Sequence, residues 1–202
     1  MTDQSGLRER KKAATKAALG HATLRLAIEK GDIDAVTADD IAAEAGVSTR
    51  TFHNYFQNKE AALLHDFNEK SAKAIASVRE RVREQPVWEA LRDACIGIGA
   101  EEHADLTLLQ CKEQLIHRSP SLMSHQATQF LEFFNELLGV VAEATGSDEH
   151  DMYPQLLLGA AIIAMKVAQE HWLAHPDEAP LAEVIADAFA RFESGIATPT
   201  TA

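Results

Sequence analysis

The 202-residue sequence predicts an all-α protein. Its long runs rich in alanine and leucine show the three-to-four-residue spacing of amphipathic helices, and no segment shows the strict alternation of a half-buried strand. Only six prolines interrupt these runs. Because 46% of the residues are hydrophobic, the chain can bury a sizeable core unaided.

Turn and cap residues divide the chain into predicted helices. Gly31 ends the first helix, and Gln85-Pro86 ends a long one. Ser119-Pro120-Ser121 predicts a helix start with proline in the first turn. The small, polar residues 1–6 are expected to be disordered. The predicted helical ranges are 7–30, two short helices within 37–56, then 58–84, 88–99, 104–117, 122–145, 152–174 and 179–194.

Residues 37–64 predict two short helices joined by a glycine turn. Thr37 and Asp40 have the spacing of a capping box, in which side-chain oxygens accept from unpaired backbone N–H groups at the helix start. Gly46 stands where the chain must turn sharply, because glycine enters the left-handed region without steric cost. Ser48 then caps a second helix.

The second short helix has one apolar face and one polar face. Phe52 and Phe56, four residues apart, are predicted to face inward. The outward face carries small hydrogen-bonding side chains and one arginine, which suits the major groove of DNA. These outward residues are Thr49, Arg50, Thr51, His53 and Asn54.

Residues 15–64 resemble the N-terminal domain of TetR-type bacterial transcriptional regulators. The resemblance rests on the residues above, on Leu19, Ala22 and Leu26 in the first helix, and on Tyr55, Phe56, Lys59, Glu60 and Leu63 after the turn. The chain departs from the family pattern at two positions, with His53 in place of the usual tyrosine and Asn54 where histidine is frequent. A tight turn within an unrelated helical bundle is the alternative interpretation.

The resemblance implies two domains and a set of DNA contacts. A three-helix helix-turn-helix DNA-binding domain would cover residues 1–64, and a helical bundle for ligand binding and dimerisation would cover residues 65–202. The five outward residues of the second short helix would face base edges or phosphates of a double-stranded operator. The residues expected to grip the DNA backbone are Thr37, Ser48, Tyr55 and Lys59.

Charge is distributed unevenly along the chain. Residues 1–60 hold 9 Lys+Arg and 9 Asp+Glu, so the remaining 10 and 22 in residues 61–202 carry the whole net charge of -12. A basic arm near the N-terminus can neutralise phosphates. A solvated basic tail without a partner is the alternative. The residues of this arm that we expect to contact DNA are Arg8, Arg10, Lys11 and Lys12.

The helices predicted over 152–174 and 179–194 are candidates for a homodimer interface. The first has small residues beside Leu156, Leu157, Ile162 and Ile163, with few polar positions over several turns. Two such helices from each of two chains would form a four-helix interface, which resembles how the family dimerises. An ordinary core within one chain is the alternative.

Bulky apolar residues in the middle of the chain predict an effector-binding pocket, with a solid core as the alternative. Residues 106–122 and Trp172-Leu173 also resemble the C-terminal domain of a TetR subgroup thought to bind acyl-CoA-like ligands, as in regulators beside mycofactocin clusters. We therefore expect an acyl-CoA-like effector that releases DNA, with Arg118 and Lys112 available for its phosphates. The predicted pocket residues are Trp88, Arg92, Cys95, Cys111, Leu115, Arg118, Met123, Phe130, Phe134 and Met165.

Other function classes have less support. No GxSxG, HExxH or Walker-type motif indicates an enzyme, so we expect neither catalytic residues nor a cofactor. The spacing of the candidate metal ligands is loose, so no metal is expected; a non-DNA scaffold stays a minor alternative. The most apolar run, Leu156–Ala168, is too short to span a bilayer and contains Lys166, so we expect a cytoplasmic protein without a membrane partner. The candidate metal ligands are Cys95, His103, Cys111, His117 and His125.

Overall fold

A computed structural model of the chain describes residues 3–101 and 106–195. Over these residues it contains ten α-helices, a short 3-10 helix at Ile33–Ala35 and no strand, which confirms the predicted all-α fold. The helices are α1 Asp3–Lys30, α2 Ala38–Glu44, α3 Thr49–Tyr55, α4 Lys59–Leu63, α5 His65–Arg81, α6 Val87–Glu101, α7 Leu106–Arg118, α8 Pro120–Thr145, α9 Met152–Ala174 and α10 Leu181–Glu193.

Two expectations about helix boundaries were wrong. Helix α1 begins at Asp3, so residues 3–6 are helical rather than disordered, and residues 1–2 lie outside the described residues. The helix predicted over 58–84 is divided into α4 and α5 at Leu64, whose backbone leaves helical geometry. Residues 62–65 are all buried, and a straight helix with one buried face cannot bury four consecutive side chains.

The described residues form two compact units. The first unit comprises the chain up to Glu69 together with Thr107–Phe130, and the second comprises Lys70–Leu106 and the chain from Leu131 onward. The two units are defined by which residues contact one another and not by position along the chain. The predicted division into domains after Leu64 therefore stays a prediction.

The core of the first unit combines residues that are distant in sequence. Leu115 and Ile116 of α7 and Leu122 of α8 are buried in the same apolar cluster as residues of α1 to α4. Burying each such side chain stabilises the unit by about 1.5–3 kcal/mol. The α7–α8 corner, residues 115–122, is therefore a structural part of the unit that carries α2 and α3.

In the second unit, α6 packs closely against α10. A β-carbon placed on Gly99 would lie 2.7 Å from Ile185 Cδ1, so α6 approaches α10 more closely there than a larger residue would allow. The ring centroids of Trp88 and Phe189 are 4.8 Å apart. The indole N–H of Trp88 also donates to Glu193 Oε1 at 2.9 Å.

Candidate nucleic-acid interface

The start of α2 is fixed by the predicted capping box. Thr37 Oγ1 accepts from the backbone N–H of Asp40 at 3.1 Å, and Asp40 Oδ2 accepts from the N–H of Thr37 at 3.1 Å. Lys30 Nζ donates to the same carboxylate oxygen at 2.7 Å. The bond from Lys30, followed by the bonds from Thr37, lowers the pKa of Asp40 to about 2. Asp40 therefore stays ionised and holds α2 against the end of α1.

The turn between α2 and α3 has the geometry expected for its sequence. Gly46 has a φ of 68°. Val47 N–H donates to Ala42 O at 2.9 Å and Gly46 N–H donates to Ala43 O at 3.1 Å, which together form a Schellman motif at the end of α2. Ser48 Oγ then accepts from Thr51 N–H at 3.1 Å and starts α3. Local hydrogen bonds thus set the orientation of α3.

Helix α3 buries one face and exposes the other. Phe52 and Phe56 are buried, with ring centroids 6.0 Å apart. Arg50, His53 and Asn54 are exposed, and no residue in the described part of the chain gives them a hydrogen bond or an ion pair. Their polar groups are therefore available to another molecule.

The two threonines of the predicted reading face already have hydrogen-bond partners. Thr49 Oγ1 donates to Asp39 Oδ1 of α2 at 2.5 Å. Thr51 Oγ1 lies 2.8 Å from Ser48 Oγ, and either oxygen can donate. Both threonines are half-buried, so they differ from the exposed row of Arg50, His53 and Asn54.

The residues predicted to grip the DNA backbone lie on the same unit. Thr37 and Ser48 use their hydroxyl oxygens as caps. The hydroxyl hydrogen of Thr37 can point outward, and that of Ser48 can do so when Thr51 is the donor of their shared bond. Lys59 Nζ lies 3.2 Å from Asp34 Oδ1. To bind a phosphate, Lys59 would therefore have to share the carboxylate of Asp34 or leave it. Tyr55 is half-buried at the end of α3.

The basic arm lies close to α3. Arg8, Lys11 and Lys12 line a cleft of about 370 Å³ together with Thr15 and Tyr55. The three basic side chains are exposed, so most of their charge faces solvent. Tyr55 and three residues of the basic arm thus line the same cleft. Arg10 is exposed on α1 but does not line this cleft.

The predicted effector-contacting residues are divided between the two units. In the first unit, Leu115 is buried in the core, Cys111 is half-buried, and Arg118 is exposed. Met123 and Phe130 of α8 are large apolar residues with 50% and 37% of their surface exposed. The exposed members of this set are therefore concentrated at the end of α7 and in the first half of α8.

The other predicted effector-contacting residues belong to the second unit. Arg92 is held by Asp93 at 2.9 Å and lies 3.8 Å from Glu193, the partner of Trp88. Burial raises the pKa of the Cys95 thiol to about 12. Phe134 and Met165 are half-buried. Trp88 and Arg92 are thus engaged in the packing of α6 on α10.

The candidate metal ligands do not form a cluster in the described part of the chain. Among residues 3–101 and 106–195, no group of three or more His, Cys, Asp or Glu side chains is placed to hold a metal ion. His103 lies outside the described residues. Cys95 and Cys111 are both free.

Three residues of the interface were not identified from the sequence. Asp39 binds Thr49, Asp34 binds Lys59, and His65 is buried beside Phe56, with ring centroids 5.7 Å apart. The sequence around Asp34 and Asp39 does not indicate their partners, because those partners lie on other helices. His65 follows three buried apolar residues, and only this continuity indicates its burial.

Known proteins show the same architecture. The solved structure of NalD, the secondary repressor of the MexAB-OprM multidrug efflux pump in Pseudomonas aeruginosa, matches with a TM-score of 0.60 and 18% identity over 89% of this chain and 96% of that one. FadR of Bacillus subtilis, solved with stearoyl-CoA, matches with a TM-score of 0.58 and 21% identity over 89% and 98%. These likenesses show the fold.

Sequence comparisons give the family. Residues 20–65 match the family model described as bacterial regulatory proteins, tetR family, and residues 85–197 match the MftR C-terminal domain. A Mycobacterium tuberculosis protein, MftR, whose name gives it a proposed role as mycofactocin biosynthesis transcriptional regulator, is 24% identical over 89% of this chain and 90% of its own. The two matched regions cover most of the sequence and coincide with the helix-turn-helix and the C-terminal helices. The chain therefore belongs to the TetR family of transcriptional regulators, which are DNA-binding proteins rather than enzymes.

Proposed function

We propose that this regulator is a homodimeric repressor that binds operator DNA through α3 and releases it when a small, largely apolar effector binds. The observation that supports the DNA contact is the exposed row of Arg50, His53 and Asn54, whose polar groups have no partner among the described residues. Groups of this kind hydrogen-bond to base edges in the major groove.

Base contacts and phosphate contacts are assigned to different residues. Arg50 is the residue best suited to a bidentate contact with guanine, because its guanidinium is exposed and unpaired within the described chain. Lys59 and the basic arm supply charge to phosphates. His53 replaces an expected tyrosine, and its imidazole can donate to or accept from either kind of group.

Two substitutions separate these roles. Arg50→Ala is expected to cost about 1–3 kcal/mol at one base position and to relax the preference there. Lys59→Ala is expected to weaken binding to all sequences alike and to reduce the salt dependence. Arg83→Ala removes the same charge from an exposed site in the second unit and is the matched control. Equal effects of Arg50→Ala and Lys59→Ala on every DNA sequence would contradict the assignment.

A homodimer is supported by the exposed apolar face of α9. Met152, Leu156, Ile163 and Val167 recur at helical spacing and expose between 50% and 76% of their surface. A second copy of α9 would cover this face, and a two-fold protein matches two operator half-sites about one helical turn apart.

The dimer can be tested by sedimentation. Ile163→Asp is expected to give monomers and to abolish tight operator binding, because a buried unpaired carboxylate opposes association. Leu131→Asp, at a 59% exposed apolar position on α8, is the matched control and should leave the mass unchanged. A monomeric native protein would contradict the proposal.

An acyl-CoA-like effector is supported by the surface of α7 and α8. Met123 and Phe130 offer exposed apolar area, and Arg118 is exposed without a partner in the described residues. Lys112 is less available for phosphates, since it binds Asp66 at 2.6 Å. The likeness to the stearoyl-CoA complex of FadR, which shows the fold, is consistent with such a ligand.

The position of these residues gives a route from effector to DNA. Leu115, Ile116 and Leu122 of the α7–α8 corner lie in the same core as Phe52 of α3. A ligand that displaces this corner would repack the core beneath the reading helix. We therefore place effector sensing at the corner, with α3 as the element that responds.

Thermal-shift titration with stearoyl-CoA tests the effector. An effector at about 100 times its dissociation constant should stabilise the protein by about 2.7 kcal/mol. Free CoA should stabilise less, because it lacks the acyl chain, and Arg118→Ala should weaken stearoyl-CoA binding. No shift with acyl-CoAs of any chain length would contradict this choice of effector and leave the DNA-binding proposal standing.

A cytoplasmic location is consistent with DNA binding. Helix α9 is long and apolar enough, by length and composition alone, to cross a membrane. Its exposed face nevertheless carries an ion pair between Lys166 and Glu170, and Ala161, Ala164 and Ala168 are buried. We infer that α9 is a bundle helix of a cytoplasmic regulator.

A further inference from the structure

The hydrogen bond between Thr49 and Asp39 restricts what Thr49 can offer to DNA. Thr49 is the first residue of α3, and its Oγ1 donates to Asp39 Oδ1 at 2.5 Å. This distance is typical of a hydroxyl bound to an ionised carboxylate. A threonine hydroxyl has one hydrogen and two lone pairs, so Thr49 can only accept a further hydrogen bond.

Asp39 differs from the other acids of α2 in its surroundings. Asp40 is paired with Lys30, and Glu44 is paired with Arg25. Asp39 has no cation within ion-pair distance among the described residues, and its side chain is exposed. Its charge is therefore not neutralised within the first unit.

From this geometry we propose that Asp39 determines sequence specificity, because it holds the hydroxyl hydrogen of Thr49 so that Thr49 selects a base with a major-groove amino group. The inference rests on the proposed contact between α3 and DNA. Adenine N6 and cytosine N4 carry such donors, whereas guanine O6 and N7, thymine O4 and phosphate oxygens only accept. Thr49 is thereby assigned to an adenine or a cytosine and not to a phosphate.

The uncompensated charge adds to this selection. A carboxylate near the DNA surface repels phosphates, so Asp39 lowers the affinity for every sequence. Only a site that places an amino group against Thr49 gains a hydrogen bond in return. Asp39 thus lowers the affinity for all DNA sequences and increases the difference in affinity between them.

Three variants separate the hydrogen bond from the charge. Asp39→Ala removes both, and Asp39→Asn removes the charge but keeps an amide oxygen that can accept from Thr49. Thr49→Val removes the hydroxyl at nearly constant volume. The matched control is Asp32→Asn, because Asp32 is an exposed acid whose side chain accepts only from Asp34 N–H, a bond that asparagine can also make.

The experiment measures base preference position by position. The wild-type dimer is used to select duplexes from a randomised library, and each variant is titrated against the selected site and all its single-base substitutions. Circular dichroism and melting temperature verify folding. One position should show about tenfold discrimination in the wild type between the base pair that places its amino group against Thr49 and the same pair with its two bases exchanged between the strands.

The expected results follow from the roles assigned above. Asp39→Ala and Thr49→Val should each reduce that discrimination to about twofold at the same position, and the double variant should be no worse than either single one. Asp39→Asn should keep the preference and bind all sequences more tightly. Asp32→Asn should change neither.

Two results would overturn the inference. One is an Asp39→Ala variant that retains the wild-type preference at every position, and the other is a Thr49→Val variant that does so. Failure of the wild-type protein to bind any duplex would instead overturn the proposed function itself. A failure of the inference is distinguishable from a failure of the proposed function, because only the former requires a wild-type protein that binds DNA.

Discussion

Gly20 of α1 and His65 of α5 are in direct contact in the first unit. A β-carbon placed on Gly20 would lie 2.9 Å from His65 Cδ2 and 3.1 Å from the backbone oxygen of Ala62. His65 is buried, and its ring also packs on Phe56. Since Phe56 follows α3 directly, this contact ties the start of α5 to the helix that we propose contacts DNA.

The first prediction concerns this close approach. Gly20→Ala should destabilise the protein by about 1–2 kcal/mol, because the added carbon meets a ring and a backbone oxygen and the clash exceeds the gain in helix propensity. Gly97→Ala is the control, since a β-carbon added to Gly97 in α6 would meet no atom within 4 Å among the described residues outside the backbone of its own helix. It should stabilise by about 0.5–1 kcal/mol. Urea denaturation measures both, and a stabilising Gly20→Ala would show that the contact is loose.

The second prediction concerns the charge of His65. Burial lowers the pKa of this imidazole from its ordinary value of 6.5, and its Nδ1 has no hydrogen-bond partner. Below about pH 6.5 the unfolded chain binds a proton that the folded chain resists, so stability should fall as the pH drops from there towards the lower folded pKa.

A variant isolates this contribution. His65→Phe keeps a ring in the same place and should give a flatter dependence of the urea midpoint on pH between about 7.5 and 5.5. Glu69, whose Oε1 lies 3.9 Å from His65 Nδ1, reduces the effect but does not reverse it. Identical pH profiles for the variant and the native protein would assign the dependence to other groups.

The third prediction concerns the ion pair between α7 and α5. Lys112 Nζ lies 2.6 Å from Asp66 Oδ1, and only 14% of the lysine side chain is exposed. Lys112→Met should therefore cost about 1–2 kcal/mol, since a charge-assisted bond in a shielded site is lost. Arg79→Met removes a pair with Glu136 whose two side chains are 56% and 60% exposed, and it should change stability by less than about 0.5 kcal/mol. Calorimetry compares the melting temperatures of the two variants, and equal decreases for both would argue that the pair of Lys112 with Asp66 is not shielded from solvent.

The fourth prediction concerns the cap of α2. Thr37→Ala should destabilise by about 1 kcal/mol, because the N–H of Asp40 loses its acceptor. Thr37→Ser retains the hydroxyl and should be within a few tenths of a kcal/mol of the native protein. Chemical denaturation of the two variants checks the cap, and similar losses for both would point to the threonine methyl group instead.

Local features of the fold were predictable from the sequence. The Thr37 cap, the Gly46 turn and the Ser48 cap depend on residues within a few positions of one another, so their residue types indicate their geometry directly. The break at Leu64 was not predictable in this way. It depends on the burial of four consecutive residues, and that burial is imposed by packing against distant helices.

The candidate site shows the same difference. The exposed row of Arg50, His53 and Asn54 follows from helical periodicity and lies within the five outward residues that the sequence predicts, of which Thr49 and Thr51 are half-buried. The bond from Thr49 to Asp39 and the inclusion of Leu115 in the core of the first unit depend on which elements pack together. Sequence spacing carries no information about that packing, so these contacts emerged only from the structure.

The most direct measurement is the binding of the purified protein to DNA flanking its own gene, at about 50 and 200 mM salt, with Arg50→Ala beside the native protein. The expected result is tight binding by the native protein that falls steeply with salt, and a relaxed preference at one base position in the variant. Undiminished sequence preference in Arg50→Ala, or no binding by a folded native dimer, would contradict the assignment of α3 as the DNA-reading helix.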